Sequence, residues 1–402
     1  MESANGHRSR TDGDQRPSAS PPRPLKIAMV MPPWYEVPHA GYGGLERVCA
    51  SLIDGLIARG NYVTLFGAGT RTGTRARFVS TNPELQYPKL LQSMPELVHV
   101  TEVNEMLERE RFDIVHDHTT VGPVTAAQRS APSVVTVHGC PTGDLRTYLS
   151  HVDDMVSLVA ISHAQRRVAP DLNWTTTIHH GIEADSPVKK APADGPVLWL
   201  GRFDPDKGPD LAIEACRKAG LPLVLAGKCN QADEWQYLDE VVRPMLDDGT
   251  ELILNADRDT TNALALQAQS MILPIRWEEP FGMVMIEAMA VGTPVVAMRR
   301  GSVPEVVLHG RSGFVCTDEA ELPEALHQAR TLDPADCVAH VRTSFSVELM
   351  ARRHERLYRR LMVERRRGLT PRTGSRRHVT STPVAATDVA TSVVRARSRL
   401  VG

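Results

Sequence analysis

Two glutamates eight residues apart, Glu279 and Glu287, stand in the stretch LPIRWEEPFGMVMIEAMAVGTPVVAM, Leu273 to Met298. On one continuous helix they would lie about 80° apart. Pro280 and Gly282 are turn residues, so Glu279, Phe281 and Gly282 are expected on a loop, with Glu287 about one turn inside the helix that follows. The backbone N–H groups at such a helix start suit an anion. A carboxylate beside them suits hydroxyl groups, as on a sugar, and leaves a phosphate to the amides. Two ordinary acids on a helix are the plainer alternative.

Arg202 and Lys207 flank a second turn, Gly201-Arg202-Phe203-Asp204-Pro205-Asp206-Lys207-Gly208, just after an apolar run. Arginine as a fork and lysine as a point charge could clamp a diphosphate. They could equally be surface charges paired with Asp204 and Asp206. Near the N-terminus, Gly41-Tyr42-Gly43-Gly44 precedes a helical pattern. It lacks the GxGxxG spacing of a dinucleotide fingerprint, so it is either a flexible loop or one that lets backbone approach a ligand. His116, His118 and His138 stand at or just beyond the ends of apolar runs, where open parallel sheets bind ligands. Their crowding raises the question of a metal, but buried, hydrogen-bonded histidines are the expected outcome, and no metal site is assigned.

The elements that must hold these residues alternate between strands and helices. In the first half, strands are expected at 26–31, 62–66, 112–118, 133–137 and 158–161. A helix starts at Leu45 with Val48, Leu52 and Leu56 at helical spacing, and Ser162 caps another. A Pro/Ala/Lys-rich linker, Ala184 to Gly195, leads to a second series. Strands there are expected at 197–200, 223–226, 252–254 and 271–273, and helices at 210–219, 233–246 and 260–269. The expected fold class is α/β with two doubly wound domains. The boundaries are a disordered leader over 1–24, a first domain over 25–185 and a second over 186–345. A basic helix over 346–367 returns to the first domain, and a disordered tail covers 368–402.

The chain's 402 residues exceed a usual single core, and the net charge of −2 gives no global bias toward nucleic acid or membrane. Eleven arginines between Ala351 and Arg377, against two acids, make the C-terminal helix locally basic. Its apolar positions Met350, Leu357, Leu361 and Met362 fit docking on the first domain. Its arginine face fits peripheral contact with anionic lipid. No apolar run reaches the ~18 residues of a membrane span, and the leader has no secretory h-region. The six cysteines show no CxxC spacing. They point to reduced thiols in a cytoplasmic protein, peripheral at the inner membrane face if lipid is bound.

GRFDPDKGPDLAIEA, LPIRWEEPFGMVMIEAMAVGTPVVAMRRGSVPEVVLHGRSGFV, GYGGLERV and VAISHAQRR together resemble family-4 retaining glycosyltransferases, enzymes of the GT-B fold whose two Rossmann-like domains face each other across a cleft. The resemblance spans about residues 25 to 367. It implies a metal-independent hexosyl or related transferase. The donor is a nucleotide-diphosphate sugar, no cofactor is required, and the acceptor is an unidentified glycan, lipid or small molecule. It places Arg202 and Lys207 on the donor diphosphate, Glu279 beside the sugar hydroxyls and Glu287 on the ribose. Phe281, Gly282, Met283 and Val284 form the backbone turn toward sugar and phosphate. Gly43 and Gly44 approach from the opposite domain, and His138 stands near the donor sugar, so that His138 and Glu279 are the catalytic candidates. The acceptor is expected at loops 32–44 and 140–148 and at His118.

Two departures bear on the nucleotide. His180 replaces the usual Asn before Gly181, and Asn255-Ala256-Asp257-Arg258 replaces a glycine turn near the base. A nucleotide-sugar 2-epimerase of the same fold and a non-catalytic nucleotide-sugar-binding protein remain as alternatives.

Overall fold

The computed structural model describes residues 23–39, 44–90, 92–184, 188 and 194–368. Gly43, almost all of the leader and the tail beyond Gly368 lie outside the described residues.

Thirteen strands among these residues form two parallel sheets. The first contains β1 (Lys26–Val30), β2 (Tyr62–Ala68), β3 (Arg77–Asn82), β4 (Ile114–Asp117), β5 (Ser133–Val137), β6 (Ser157–Ala160) and β7 (Trp174–Thr177), in the order β3-β2-β1-β4-β5-β6-β7. The second contains β8 (Val197–Arg202), β9 (Leu223–Lys228), β10 (Thr250–Leu254), β11 (Ser270–Leu273), β12 (Val295–Met298) and β13 (Gly313–Cys316), in the order β10-β9-β8-β11-β12-β13. Most central strands are buried throughout, as strands covered on both faces by helices must be. The order reverses between β1 and β4 in one sheet and between β8 and β11 in the other. Those switch points open a crevice at the strands' carboxyl ends.

Several elements depart from the sequence expectation. The helix Ser93–Arg109 buries Glu96 and His99 beside Val100, Val103 and Leu107 and leaves Met94, Leu97 and Val98 exposed, so its apolar periodicity is weak in the sequence. Edge strand β3 is nowhere fully buried, and β7, WTTT, is fully buried only at Trp174. Neither has the apolar run that marks a central strand. The helix expected over 233–246 runs without interruption from Ala232 to Met245, with a π-helical segment, Leu238–Val242, inside it. Arg23, assigned to the leader, is instead held by Asp113 through both guanidinium nitrogens, at 3.0 and 2.7 Å.

The last helix, Val347–Arg366, lies on the first domain. Met350, Ala351, Leu357, Tyr358 and Leu361 join the cluster built by Leu25, Ile27, Met29, Ile53 and Leu56. Tyr358 is fully buried, and its hydroxyl lies 2.7 Å from His116 Nδ1 on β4. Chain return at this point is tight, because a Cβ on Gly181 would stand 2.4 Å from the Ser346 carbonyl oxygen. No helix among the described residues is long and apolar enough to cross a membrane. All six cysteines are free thiols, five of them buried.

Tyr358→Phe removes the partner of a buried imidazole nitrogen at almost constant volume. It should lower stability by about 1–3 kcal/mol. A urea titration should show a lower midpoint at unchanged slope; an unchanged midpoint would dismiss the bond as a structural determinant.

Candidate active site

The two loops that carry the charged motifs leave β8 and β11, the pair of strands at the switch point of the second sheet. They are stitched together by Arg276. Its guanidinium holds the Asp210 carboxylate through two nitrogens, at 2.8 and 2.6 Å, and donates to the Pro205 carbonyl at 2.9 Å. Its backbone N–H donates to the Asp206 carbonyl at 2.9 Å. The Asp210 contact pushes the Arg276 guanidinium still further into its charged form. Trp199 Nε1 fixes the other end of the first loop through the Lys207 carbonyl, at 3.0 Å.

This stitching brings Lys207 to Glu279. Lys207 Nζ lies 2.6 Å from Glu279 Oε2 and 4.3 Å from the centroid of the Trp277 ring, whose Nε1 donates to the same carboxylate oxygen at 3.1 Å. Glu279 is largely buried, and its backbone is equally constrained: its carbonyl accepts from Ser302 N at 2.9 Å. Gly301 passes so close that a Cβ there would stand 2.2 Å from that same oxygen. Arg202 pairs with buried Glu234 through Nη1 at 2.5 Å, and 40% of its side chain stays exposed. The alternative pairing of these two cations with Asp204 and Asp206 does not occur. Asp204 instead caps the turn, accepting from Asp206 N at 2.8 Å.

Gly282 begins the helix Met283–Ala290 with φ of +73°, and no side chain caps it. The first-turn N–H groups at Met283 and Val284 therefore lack a capping acceptor and are available to an anion. The facing helix, Gly44–Ala58, starts directly opposite: a Cβ on Gly44 would lie 3.8 Å from Met283 Cγ. Two helix N-termini from different domains thus approach one spot. Phe281 itself is buried, edge-on to His180 with ring centroids 5.0 Å apart, so only its backbone can serve a ligand.

Glu287 forms an ion pair across the cleft with Arg47 of the first domain, and both side chains are mostly buried. Beside them is a cavity of about 430 Å³ lined by Ser51, Arg258, Asn262, Met283, Glu287 and Val291 among others. Asn255, at the second of the two departures from the family pattern, has φ of +56° and alone among the described non-glycine residues is left-handed. Asn tolerates this conformation, so it makes the turn that a glycine would make. At the first departure, His180 stacks on His138 with centroids 5.3 Å apart.

His138 sits half-buried at the end of β5, with Nε2 2.9 Å from His118 Nδ1. His116, His118 and His138 do converge, joined by His354 and His180. His118 is buried, its other ring nitrogen against the Met29 sulfur at 3.1 Å. It therefore belongs to the interior and is withdrawn from the acceptor-facing set. Burial lowers His138 to about 3 and His354 to about 4, and in the same sheet's flank His99 to about 4. Arg47, Glu234, Arg276 and Trp277 were not singled out from sequence. Arg47 lies inside the quoted GLERV segment and Arg276 and Trp277 inside LPIRWEEP, which was the available signal.

Comparisons with known proteins agree with this geometry. Residues 42–186 match the family model described as Glycosyltransferase Family 4, and residues 183–332 the model described as Glycosyl transferases group 1. A glycogen synthase of Mycobacterium tuberculosis is 30% identical over 258 residues, 56% of this chain and 61% of that protein, so the match spans about three-fifths of that relative. A D-inositol 3-phosphate glycosyltransferase of Acidothermus cellulolyticus is 26% identical over 89% of this chain and 94% of its own length. The crystal structure of AviGT4, a glycosyltransferase involved in avilamycin A biosynthesis, superposes with a TM-score of 0.65 at 25% identity, covering 85% of this chain and 98% of that one.

Neutral buried histidines give stability a pH dependence of definite sign. The unfolded chain takes up protons near the ordinary 6.5, whereas His99, His138 and His354 in the folded chain do so only at about 3 to 4. Stability should therefore be complete above about pH 6.5 and fall steadily as pH drops toward 4. Urea midpoints at a series of pH values test this; a flat profile between pH 6.5 and 5 would contradict the neutral assignment.

The paired family matches, the two switch-point sheets and the facing helix starts all agree: the chain belongs to the family-4 glycosyltransferases of the GT-B fold.

Proposed function

We propose that the protein transfers a sugar from a nucleotide-diphosphate sugar to an acceptor hydroxyl with retention of anomeric configuration. The carrying observation is that the Gly44 and Met283 helix starts meet, and that a Cβ on Gly282, which opens the second helix, would stand 3.2 Å from Cγ of Glu279, the partner of Lys207. The helix amides and the two cations, Lys207 and Arg202, suit the diphosphate. Glu279 suits the sugar hydroxyls, and Glu287, beside the 430 Å³ cavity, suits the ribose. Gly43 is assigned to the same phosphate-facing loop as Gly44.

As the bond between the anomeric carbon and the phosphate oxygen breaks, its electron pair goes to that oxygen. Lys207, Arg202 and the first-turn amides stabilise the developing charge, and no metal ion is assigned to the diphosphate. The acceptor hydroxyl attacks from the face the diphosphate is leaving and passes its proton to the departing phosphate oxygen. A double displacement would need a carboxylate on the opposite face. Glu279 is held by Lys207 and Trp277 through one oxygen, which suits a binding role and favours front-face transfer. His138 is assigned next to the transferred sugar as a neutral group.

The acceptor is assigned to first-domain loops 32–44 and 140–148. Peripheral contact with anionic lipid, at the inner face of a cytoplasmic membrane, is assigned to the exposed arginines of the C-terminal helix.

Release of nucleoside diphosphate across a donor screen, with an acceptor array, tests the reading. Lys207→Ala should lose about 2–4 kcal/mol of transition-state stabilisation, by analogy with removal of one oxyanion donor. Wild-type turnover in that variant would sink the diphosphate assignment. Product formation without any acceptor would favour the epimerase alternative, and a glycosyl adduct trapped on Glu279 would overturn front-face transfer.

A further inference from the structure

Three atoms with metal-binding chemistry converge beneath the cleft, inside the first domain. Cys49 Sγ lies 3.6 Å from His118 Nδ1, which lies 2.9 Å from His138 Nε2, and all three fall within 4.8 Å of one another. They come from three separate elements: Cys49 from the helix Gly44–Ala58, His118 from the residue after β4 and His138 from the residue after β5. None of the three is among the groups assigned to the diphosphate.

A count of protons shows why hydrogen bonding alone serves them poorly. A neutral imidazole has one N–H and one lone pair. His118 Nε2 faces the Met29 thioether at 3.1 Å, and a thioether only accepts. The proton therefore sits on Nε2, and Nδ1 carries the lone pair. That single lone pair is shared by two would-be donors, the Cys49 thiol and His138 Nε2. One cation at the centre would instead take a lone pair from each of the three atoms.

The spacing is suited to it. With bonds of about 2.3 Å to sulfur and about 2.0–2.1 Å to nitrogen, a tetrahedral zinc site has S···N edges of about 3.6 Å and N···N edges of about 3.4 Å. Of the two S···N edges, Cys49 to His118 is matched at 3.6 Å, and Cys49 to His138 lies within 4.8 Å. The 2.9 Å N···N edge must open by about half an ångström, which falls to His138, the half-buried member at the cleft.

We infer that Cys49, His118 and His138 form a binding site for Zn²⁺ or a similar borderline-soft divalent cation, with a fourth position left for water or another ligand. Binding releases the Cys49 thiol proton to solvent and forms a thiolate–metal bond. Ligation through Nε2 also leaves Nδ1 of His138 as its N–H, which fixes the tautomer it offers to the cleft. The expectation of no metal is revised here for the first domain only. The second grouping, His163, His179 and Glu305, is less suited, because Glu305 already accepts from His163 N, Ala164 N and His179 Nε2.

The full chain, stripped with a chelator, should be reloaded with Zn²⁺ or Co²⁺, desalted and assayed for bound metal by mass spectrometry. About one equivalent per chain is expected, with Co²⁺ giving the intense near-ultraviolet band of a thiolate ligand. Cys49→Ser should remove that band, and His118→Ala should reduce bound metal at least tenfold; His179→Ala should change neither. Thermal unfolding reports whether each variant is folded, and Cys49→Ala replaces Cys49→Ser if the latter is not. Wild-type protein holding less than about a tenth of an equivalent, or a thiolate band that survives loss of Cys49, would overturn the site. Neither readout needs donor or acceptor, so failure here is separable from failure of the transfer assignment.

Discussion

Everything in the second domain's half of the site depends on how Arg276 binds the turn at Asp206 to Asp210. One guanidinium satisfies a carboxylate twice and a carbonyl once, while the same residue's N–H closes onto the neighbouring turn. A planar fork can do this; a lysine, as a point charge, could not span the same acceptors. The loops after β8 and β11 are thereby fixed relative to each other before any charged group meets a ligand. Lys207 and Glu279, 72 positions apart, become neighbours as a consequence. Preorganisation of this kind is what an electrostatic site requires, since a cation that must first reorganise stabilises a transition state less.

The other half of the site is set by contacts across the cleft. Arg47 meets Glu287, and Met283 packs against the cores of both domains. Glu305, from the second domain, accepts the N–H groups of His163 and Ala164 at the start of a first-domain helix. The C-terminal helix then returns the chain to the first domain, burying Tyr358 and Leu357 there. Chain connection and packing together hold the two helix starts at Gly44 and Met283 face to face.

Beneath the cleft, five histidines run from the C-terminal helix to the donor loop: His354, His116, His118, His138 and His180, ending on Phe281. Burial disfavours charge on every member. Each can then both donate and accept, and the tautomer of one constrains the next. His138 at the cleft is thus oriented from within the domain, by His118, whose own proton is placed by Met29.

How much was legible in the sequence follows from which interactions are local. Alternating apolar runs and helical spacings marked the central strands and the two-domain α/β fold, because burial on both faces leaves a continuous apolar signature. The motif turns at 201–208 and 279–282 announced themselves through Pro and Gly, whose backbone preferences act within a few residues. The half-exposed strands β3 and β7 and the helix Ser93–Arg109 carried no such signature, since their positions are decided by neighbours rather than by their own pattern. The pairing of charges was decided only by tertiary structure. Arg202 takes Glu234 and not Asp204, Lys207 takes Glu279 and not Asp206, and Arg47 reaches Glu287 across 240 positions. Residue types in sequence set which charges exist, but a carboxylate's partner is whichever cation the folded loops bring within a few ångströms, and that distance is a property of the packed sheets alone.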